Sequence, residues 1–571
     1  GMNNDDGTVE SVTIDKDYTV RVEVGVCTQN ATSGVYSGSK SYPNSTSRKP
    51  IGLLQRYGKD GDMHFGLLTG SYSKNISGGV LRKNIGSIED EINQDTGIFT
   101  STHGIVYTID HLRIINFDYN SNYEYDGGWY VDGPMSDSVS DSGSPDFPDW
   151  GNPTAEMLYE ALRYYGGASS PTSDFDYTGY DGGELDLPQP AWEEAYNSTD
   201  YCAEAHILTI SDIYPSFDSD QVPGTEWGSM GEETIGSASE QLNAKDIGDE
   251  IFSNEFNSTQ NRFIGCSDCA SHGDYSCSAK SVNSLGNIRG LCPDEPTKRG
   301  SYYSASVAHY GRTNDLNSAK GNQTITNYMV GLSSPRPRIE IPVKGNTISI
   351  VPFAKSVGGS VDGNDIDPDS GYQPTNTIVD YFVENFTRTS GSFRINFEDV
   401  EQGADHDMDA IVRYTYQLVD SSGIDVSDPS QGEKIRIEVD SEYAAGSIIH
   451  HLGYIISGTK NHGTYLVIRD KDTDPGDDPD YFMDEPKGND SWDDDKELPL
   501  IDSRTFEPSS TEAATTLKNP LWYAAKWGGF KDLNDNGVPD QQDEWDADND
   551  GEPDSYFYVQ SPLQLEKQLN E

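Results

Sequence analysis

The stretch AHILTISD, at residues 205–212, is an apolar run that ends in an acid and predicts a buried strand. Upstream of it, NPTAEMLYEALRYY (152–165) has helical spacing, and Gly166-Gly167 follows as a stop signal. Downstream, two more helices and one more strand are expected at 239–253, 301–311 and 327–332. Strands that alternate with helices are typical of a parallel sheet with helices on its faces.

The N-terminal third adds less regular features to this α/β pattern. Residues 17–27 alternate apolar and polar side chains and predict a strand, and 63–70 predict a buried strand. Residues 79–93 have helical spacing. Two polar segments at 94–150 and 168–200 are expected to be insertions.

The pattern changes after Pro335 to short alternating strands. Residues 337–353 predict a hairpin with its turn at 344–346. Further strands are expected at 392–397, 410–419, 434–440, 452–457 and 464–469. Regularly spaced strands with few helices indicate a β-sandwich. The acidic tract that begins at residue 470 predicts a linker.

Composition limits the function. The 571 residues carry 96 acidic and 39 basic side chains, a net charge of −57. This balance argues against nucleic-acid binding and against docking on an anionic membrane, because both depend on Lys and Arg. No apolar run approaches the roughly 18 residues of a membrane-spanning helix. The aromatic content of 11% indicates that most of the chain folds.

Four of the six cysteines cluster between residues 266 and 292, at Cys266, Cys269, Cys277 and Cys292. One or two disulfides that staple this loop in an oxidising compartment are the favoured interpretation, with the pairing left open. Zinc is the alternative, but the cluster holds one CxxC rather than two, and His272 is its nearest histidine.

The strongest chemical signal is a tandem acidic repeat of the form D-x-[DN]-x-[DN]-G-x-x-D, in which alternate oxygens point at one centre and glycine permits the turn. The first loop, DLNDNGVPDQQD (532–543), offers Asp532, Asn534, Asn536, the Val538 carbonyl, Asp540 and Asp543. The second, DADNDGEPD (546–554), offers Asp546, Asp548, Asp550, the Glu552 carbonyl and Asp554. We predict calcium here; a solvated acidic turn is the alternative.

Phe557 occupies the position where an EF-hand would place its bidentate acid, so a paired EF-hand is disfavoured. The loops more closely resemble the acidic loops of thrombospondin-type repeats. A weaker set, Asp405, Asp407 and Asp409, alternates along 397–409 and fits either a cation site or a solvated strand edge.

Signatures of common enzymes are absent from the sequence. It contains no HExxH zinc motif, no GxSxG elbow and no P-loop. Paired carboxylates of a glycosidase leave no such signature, so a secreted calcium-dependent hydrolase of polymers stays open as an alternative.

Several long segments resemble the PilC/PilY family, the type IV pilus tip-associated adhesins. The segment that carries most of this resemblance is NPLWYAAKWGGFKDLNDNGVPDQQDEWDADNDGEPDSYFYVQSPLQLEKQL (519–569). Others lie at 66–88, 150–167, 281–311, 397–411 and 453–470. The resemblance implies a surface protein that supports pilus biogenesis, twitching motility and adhesion with calcium, and that works with minor pilins at the pilus tip. A host or surface receptor is not identifiable.

The resemblance also implies a von Willebrand A-like domain near the N-terminus and a C-terminal β-propeller. Asp212, at the end of its strand, looks like a metal-site aspartate, and Asn152 and Thr154 lie where that domain supplies a threonine. The D-x-S-x-S strand is missing, so such a site would be incomplete in this chain, and the missing ligands are expected upstream of Gly1.

We therefore expect a multidomain α+β protein. An incomplete von Willebrand A-like domain with insertions would span 1–334, a β-sandwich-like domain 335–470 and an acidic linker 471–518. The calcium loops at 519–571 would lead to a propeller beyond Glu571. The expected function is that of a non-catalytic extracellular protein at the bacterial surface or pilus tip. A passive structural filament component is a further alternative.

Overall fold

The computed structural model describes residues 39–45, 48–58, 63–71, 74, 76–112, 117–118, 124–125, 151–176, 186–196, 201–266, 278–292, 299–332, 338–361, 364–365, 377–398, 410–445, 448–481, 497–509, 514–559 and 565. Two compact units divide the chain: residues 1–65 with 86–102, and residues 66–85 with 103–571.

The described helices and strands are numbered in chain order. The helices are α1 (Leu53–Gly58), α2 (Ile105–His111), α3 (Thr154–Tyr165), α4 (Ala244–Glu255), α5 (Tyr303–Thr313), α6 (Pro520–Gly529) and α7 (Gln542–Trp545). The strands are β1 (Ser39–Lys40), β2 (Lys49–Pro50), β3 (Phe65–Thr69), β4 (Val80–Gly86), β5 (Phe117–Asp118), β6 (Glu124–Tyr125), β7 (Ala205–Asp212), β8 (Gln260–Ile264), β9 (Ser278–Val282), β10 (Ile325–Leu332), β11 (Ile339–Val343), β12 (Asn346–Val361), β13 (Asn364–Asp365), β14 (Thr377–Phe386), β15 (Ser390–Glu398), β16 (Ala410–Val419), β17 (Lys434–Ala444), β18 (Ile448–Ser457), β19 (Gly463–Arg469), β20 (Ile501–Phe506) and β21 (Tyr556–Val559).

The described residues of the smaller unit contain a short antiparallel strand pair, helix α1 and little other regular structure. Strands β1 and β2 pair antiparallel, and Tyr42, Ile88 and Ile92 are buried. Gly97 has a φ of +69°, and a Cβ there would lie 2.3 Å from the Tyr42 ring, so only glycine fits this turn.

The prediction of a helix over residues 79–93 is wrong. Strand β4 occupies its first half, and a 3-10 turn at Glu89–Glu91 occupies its second half. The first three residues of β4 are buried, and Arg82 donates hydrogen bonds to Thr69 Oγ1 and to the Gly70 carbonyl beside its partner strand β3. The apparent helical period therefore arose from a strand joined to a turn.

A three-stranded parallel sheet forms the centre of the α/β part of the larger unit, in the order β21-β10-β7. Strands β7 and β10 pair from Ala205 with Ile325 to Asp212 with Leu332. Helices α3, α5 and α6 contribute fully buried side chains to its core, and α6 packs on α5 and β10. The parallel sheet expected from the strands at 205–212 and 327–332, with neighbouring helices, is thus confirmed.

The C-terminal segment is part of this sheet. Strand β21 adds in parallel to β10, with Met329 opposite Tyr556, and the buried Trp527 of α6 lies in the same core. Sequence reasoning placed 519–571 in a segment of its own. The structure instead builds α6 and β21 into the α/β part.

Two antiparallel sheets form the β-sandwich, so the α+β, multidomain expectation is confirmed at that level. One sheet has the order β11-β12-β18-β19, with β13 paired to β12, and the other has the order β14-β15-β16-β17-β20. Their buried side chains share one core, and Tyr414 Oη donates to the Gly453 carbonyl across the two sheets at 2.7 Å. The predicted turn is present, with φ of +51° at Lys344 and +79° at Gly345.

The linker expected over 471–518 needs correction, because β20 lies within it and pairs with β17. Residues 471–481 are also placed against the sandwich: the Asp478 carboxylate lies 2.9 Å from His451 Nε2, and both side chains are fully buried. The strand predicted at 17–27 lies outside the described residues. Within the part of the chain that is described, no helix is long and apolar enough to cross a membrane.

Candidate metal site in the tandem acidic loops

The first acidic loop is held by hydrogen bonds to Asp532. Its carboxylate accepts from the backbone N–H groups of Asn536 (3.1 Å) and Gly537 (2.8 Å). Asn536 Oδ1 in turn accepts from the Val538 N–H at 2.9 Å. Asp535 and Gly537 have positive φ, of 59° and 78°, so the loop coils tightly around its own side chains.

The second loop repeats this geometry fourteen positions later. The Asp546 carboxylate accepts from the N–H groups of Asp550 and Gly551, each at 3.0 Å, and Asp550 Oδ1 accepts from the Glu552 N–H at 2.8 Å. Asn549 and Gly551 have φ of 64° and 90°, matching the first loop. The repeat seen in the sequence is therefore a repeat of backbone structure.

The two loops differ in which groups hydrogen-bond to their acidic side chains. In the first, Asn534 and Asn536 donate from Nδ2 to the two oxygens of Asp540, at 3.0 and 2.9 Å. The second loop has Asp548 and Asp550 at the positions of those asparagines. A carboxylate has no N–H to donate at neutral pH, so these two side-chain hydrogen bonds have no counterpart in the second loop, where Asp554 accepts from the Ala547 N–H.

Three carboxylates converge in the second loop. One oxygen each from Asp546, Asp548 and Asp554 lies within 4.8 Å of the others. Partial loss of solvent, followed by the neighbouring charges of Asp550, Asp546 and Asp554, raises the pKa of Asp548. Desolvation also acts to raise the pKa of Asp546, but hydrogen bonds from Gln542, Gly551, Asp550 and Asn549 outweigh it and leave that pKa lowered.

These are the donors that a hard divalent cation takes. Calcium binds six to eight oxygens from carboxylates, carbonyls and water in flexible geometry. The second loop supplies three converging carboxylates and keeps Asp546 ionised, so its chemistry fits calcium better than that of the first loop. There Asn534, Asn536 and Asp540 bond to one another, the Val538 carbonyl accepts from the Asp540 N–H, and Asp543 lies in α7.

Aromatic and charged contacts hold the second loop against α6. The Glu552 carboxylate accepts from Lys518 Nζ at 2.7 Å and from Trp522 Nε1 at 2.5 Å. Lys526 Nζ lies 4.2 Å from the centre of the Trp545 ring, and the Asp554 N–H donates to the Trp545 carbonyl. The Glu552 side chain therefore anchors the loop, and its carbonyl as a metal ligand stays a prediction.

The second predicted cluster lies at the carboxyl end of β7. Asn152 Nδ2 donates to Ser211 Oγ at 2.8 Å, and Thr154 Oγ1 donates to Asn152 Oδ1 at 3.0 Å. The Asp212 carboxylate accepts from the Tyr214 N–H at 2.8 Å. The structure therefore brings Asn152 and Thr154 together with Ser211, a residue that sequence reasoning did not select.

Several predicted residues lie outside the described part of the chain: Asp405, Asp407, Asp409, Cys269 and Cys277. Cys266 and Cys292 are buried on either side of the undescribed loop. Among the described residues Cys202 is a free, exposed cysteine. The disulfide prediction for 266–292 stays a prediction.

A buried carboxyl that sequence reasoning missed lies between the starts of two helices. Asp218 is fully buried, and its Oδ1 accepts from the Ser301 N–H, just before α5, at 2.7 Å. The N–H of Ala155, in the first turn of α3, also bonds to it. Burial raises the pKa of Asp218 to about 8. The segment FDSD (217–220) has no alternation of apolar and polar residues that would have marked Asp218 as buried.

Comparison with known proteins connects these features to one family. A family model described as the second domain of a PilY1 homolog matches residues 65–311, and one described as the β-sandwich of a PilY1 homolog matches 341–498. A relative from Xylella fastidiosa strain Temecula1, named type IV pilus biogenesis factor PilY1 homolog, is 37% identical over 613 aligned residues. The alignment covers 97% of this chain and 38% of that protein. No solved structure matches the chain.

Proposed function

Because the chain belongs to the PilY1 family, we propose that it serves in type IV pilus biogenesis as a non-catalytic protein of the bacterial surface or pilus tip. The role in pilus biogenesis is supported by the name of the relative and by its alignment along nearly the whole chain. Minor pilins would be its partners, and adhesion and twitching motility would be the outcomes. A net charge of −57 suits a protein that stays dissolved outside the cell.

Calcium in the second loop is the structural part of this proposal. The observation that carries it is the convergence of Asp546, Asp548 and Asp554 within 4.8 Å. A divalent ion would relieve repulsion among these groups, and the backbone hydrogen bonds to Asp546 orient one ligand before the ion arrives. The first loop, with its asparagines, would bind more weakly.

Two further expectations belong to the proposal. A von Willebrand A-like relationship of the α/β part is supported by β7, β10 and α3, whose polar ends bring Asn152, Thr154 and Ser211 together. One or two disulfides within 266–292 are supported by the burial of Cys266 and Cys292 and by a secreted location.

Calcium titration calorimetry tests the metal assignment. Asp548→Asn removes one converging carboxylate and should weaken calcium binding by at least about tenfold. Glu438→Gln is the control, because it removes the same charge from an exposed position on β17. Equal calcium affinity in the two variants would refute the site.

Genetic complementation tests the proposed role in pilus biogenesis. Cells lacking the gene should regain surface pili and attachment with the unaltered protein in the full-length context. If they assemble normal pili and attach normally without any copy, the proposed role in biogenesis is wrong whatever the outcome of the calcium titration.

A further inference from the structure

The outermost strand of the five-stranded sandwich sheet exposes a row of large apolar side chains. Strand β14 pairs with β15 on one side, and no described strand pairs with its other side. Four of its side chains are exposed: Tyr381 (40%), Phe382 (65%), Val383 (45%) and Phe386 (59%). Exposed apolar residues are ordinary singly, but three in sequence on a free edge are not.

The packing of the two sheets explains why part of this row is uncovered. Tyr381 is opposite Ile395 and Val383 is opposite Phe393, and both partners are buried core residues. Paired residues point to the same face of a sheet, so Tyr381 and Val383 face the sandwich side. Strand β19 lies against β17 and β20 at the far margin. The shared core therefore covers β14 at Ile378, which is buried, and leaves Tyr381 and Val383 exposed.

The edge is suited to a short added strand. Natural edges are protected by lysine, proline or bulges. Strand β14 contains neither lysine nor proline, and its two irregularities lie between Ile378 and Asp380 and between Val383 and Asn385. Residues 380–383 lie between them with regular pairing to β15.

The charge of the chain indicates which kind of partner would bind the edge of β14. A second copy would bring together two chains of net charge −57, which disfavours self-pairing. The edge itself carries the exposed Asp380, whose Oδ1 accepts from the Tyr381 N–H at 2.8 Å, whereas Glu384 pairs with Arg394 and Arg413. A partner segment with basic side chains between its apolar ones would fit both the edge and the field of the whole chain.

We propose that residues 380–383 of β14 bind an extended segment of another protein by strand addition. The segment would alternate apolar with basic side chains, would hydrogen-bond to the free edge of β14 and would cover Tyr381 and Val383. Main-chain hydrogen bonds would supply affinity, and the apolar row would supply register.

A labelled peptide of sequence KVKVKVKVK, followed by fluorescence anisotropy at physiological salt, tests this proposal. The matched ligand has the same sequence with alternate backbone amides N-methylated, which keeps the charge and removes the edge hydrogen bonds. The protein variants are Val383→Lys on β14 and Ile501→Lys on β20, the opposite edge of the same sheet, where Ile501 is 54% exposed.

We expect Val383→Lys and N-methylation each to weaken binding by at least about tenfold, and Ile501→Lys to change it less than about twofold. Equal weakening by the two lysine variants would overturn the proposal, because general charge repulsion would then explain it. Unchanged affinity of the N-methylated peptide would overturn it in the same way. A wild-type dimer that Val383→Lys dissociates, measured by sedimentation, would show that the edge binds a second copy instead.

Discussion

His450 provides a test of the sandwich core through pH. It lies in β18 with 1% of its surface exposed, and neither ring nitrogen has a hydrogen-bond partner. Burial lowers the pKa of His450 to about 4; the charge of Asp472 opposes this shift, and His451 adds to it. The ring is therefore neutral in the folded protein at physiological pH.

The size and sign of the pH effect follow from this pKa. The unfolded chain has an ordinary histidine pKa of about 6.5, so between pH 6.5 and pH 4 the unfolded state binds more protons than the folded state. Stability from this group is present above pH 6.5 and is lost as the pH falls. The loss amounts to about 2 kcal/mol at pH 5 and about 3 kcal/mol at pH 4.

His450→Phe keeps an aromatic ring and removes the titration. Because the ring nitrogens of His450 are unpartnered, the variant should lie within about 1 kcal/mol of the wild type at pH 7. At pH 5 it should gain about 2 kcal/mol relative to the wild type in urea unfolding. The control is His64→Phe, at an exposed position, which should follow the wild type at both pH values. Parallel pH profiles for His450→Phe and the wild type would refute the assignment of a buried neutral ring.

Two further predictions concern the rest of the larger unit. Burial raises the pKa of Asp218 to about 8, so the stability that this carboxyl contributes is fully present below about pH 4 and is lost progressively as the pH rises to about 8. Relative to the wild type, Asp218→Asn should therefore resist urea better at pH 9 than at pH 4, and an equal or larger deficit at pH 9 would contradict this. A Cβ on Gly453 would lie 1.7 Å from the Tyr465 carbonyl oxygen in the neighbouring strand, so Gly453→Ala should cost at least about 3 kcal/mol by thermal or urea unfolding, whereas Gly476→Ala, which meets nothing within 4 Å, should stay within about 0.5 kcal/mol.

Several sandwich strands, such as β11, β16 and β17, were predictable because one face of each is buried and the other is more exposed. Strand β16 begins and ends at the predicted residues 410 and 419, and burial alternates along it almost perfectly. The hairpin turn was predictable from Gly345, whose φ of +79° suits glycine. When every second side chain of a strand is buried, apolar and polar residues alternate in the sequence, and the strand can be predicted from that alternation.

The remaining elements left no such trace. Residues 380–386 of β14 are all exposed, so the apolar residues there follow no alternation of burial. Strand β20 lies beyond an acidic tract whose composition suggested a linker. The placement of β21 next to β10 joins residues more than two hundred positions apart, and such a pairing depends on packing that local periodicity cannot express.

The coiled backbone of the two acidic loops was predictable from the sequence, whereas their surroundings were not. Spacing and glycine gave both loops correctly as coiled acidic turns, whereas the difference between them became clear only from the Asn534 and Asn536 hydrogen bonds to Asp540. Those bonds satisfy the Asp540 carboxylate within the first loop, whereas the second loop has Asp548 and Asp550 in place of the two asparagines.

The acidic cluster of the second loop is attached to the folded core at two points. Asp554 is followed at once by Ser555, whose carbonyl accepts from the Met329 N–H at 2.9 Å and whose Oγ donates to the Ala525 carbonyl. Strand β21 begins at the next residue. One end of the carboxylate cluster is therefore fixed to the sheet, while Glu552 is fixed to Lys518 and Trp522. Since both anchors belong to the folded core, the three carboxylates are held near one another. Partial loss of solvent, and then the repulsion of the neighbouring carboxylates, raises the pKa of Asp548.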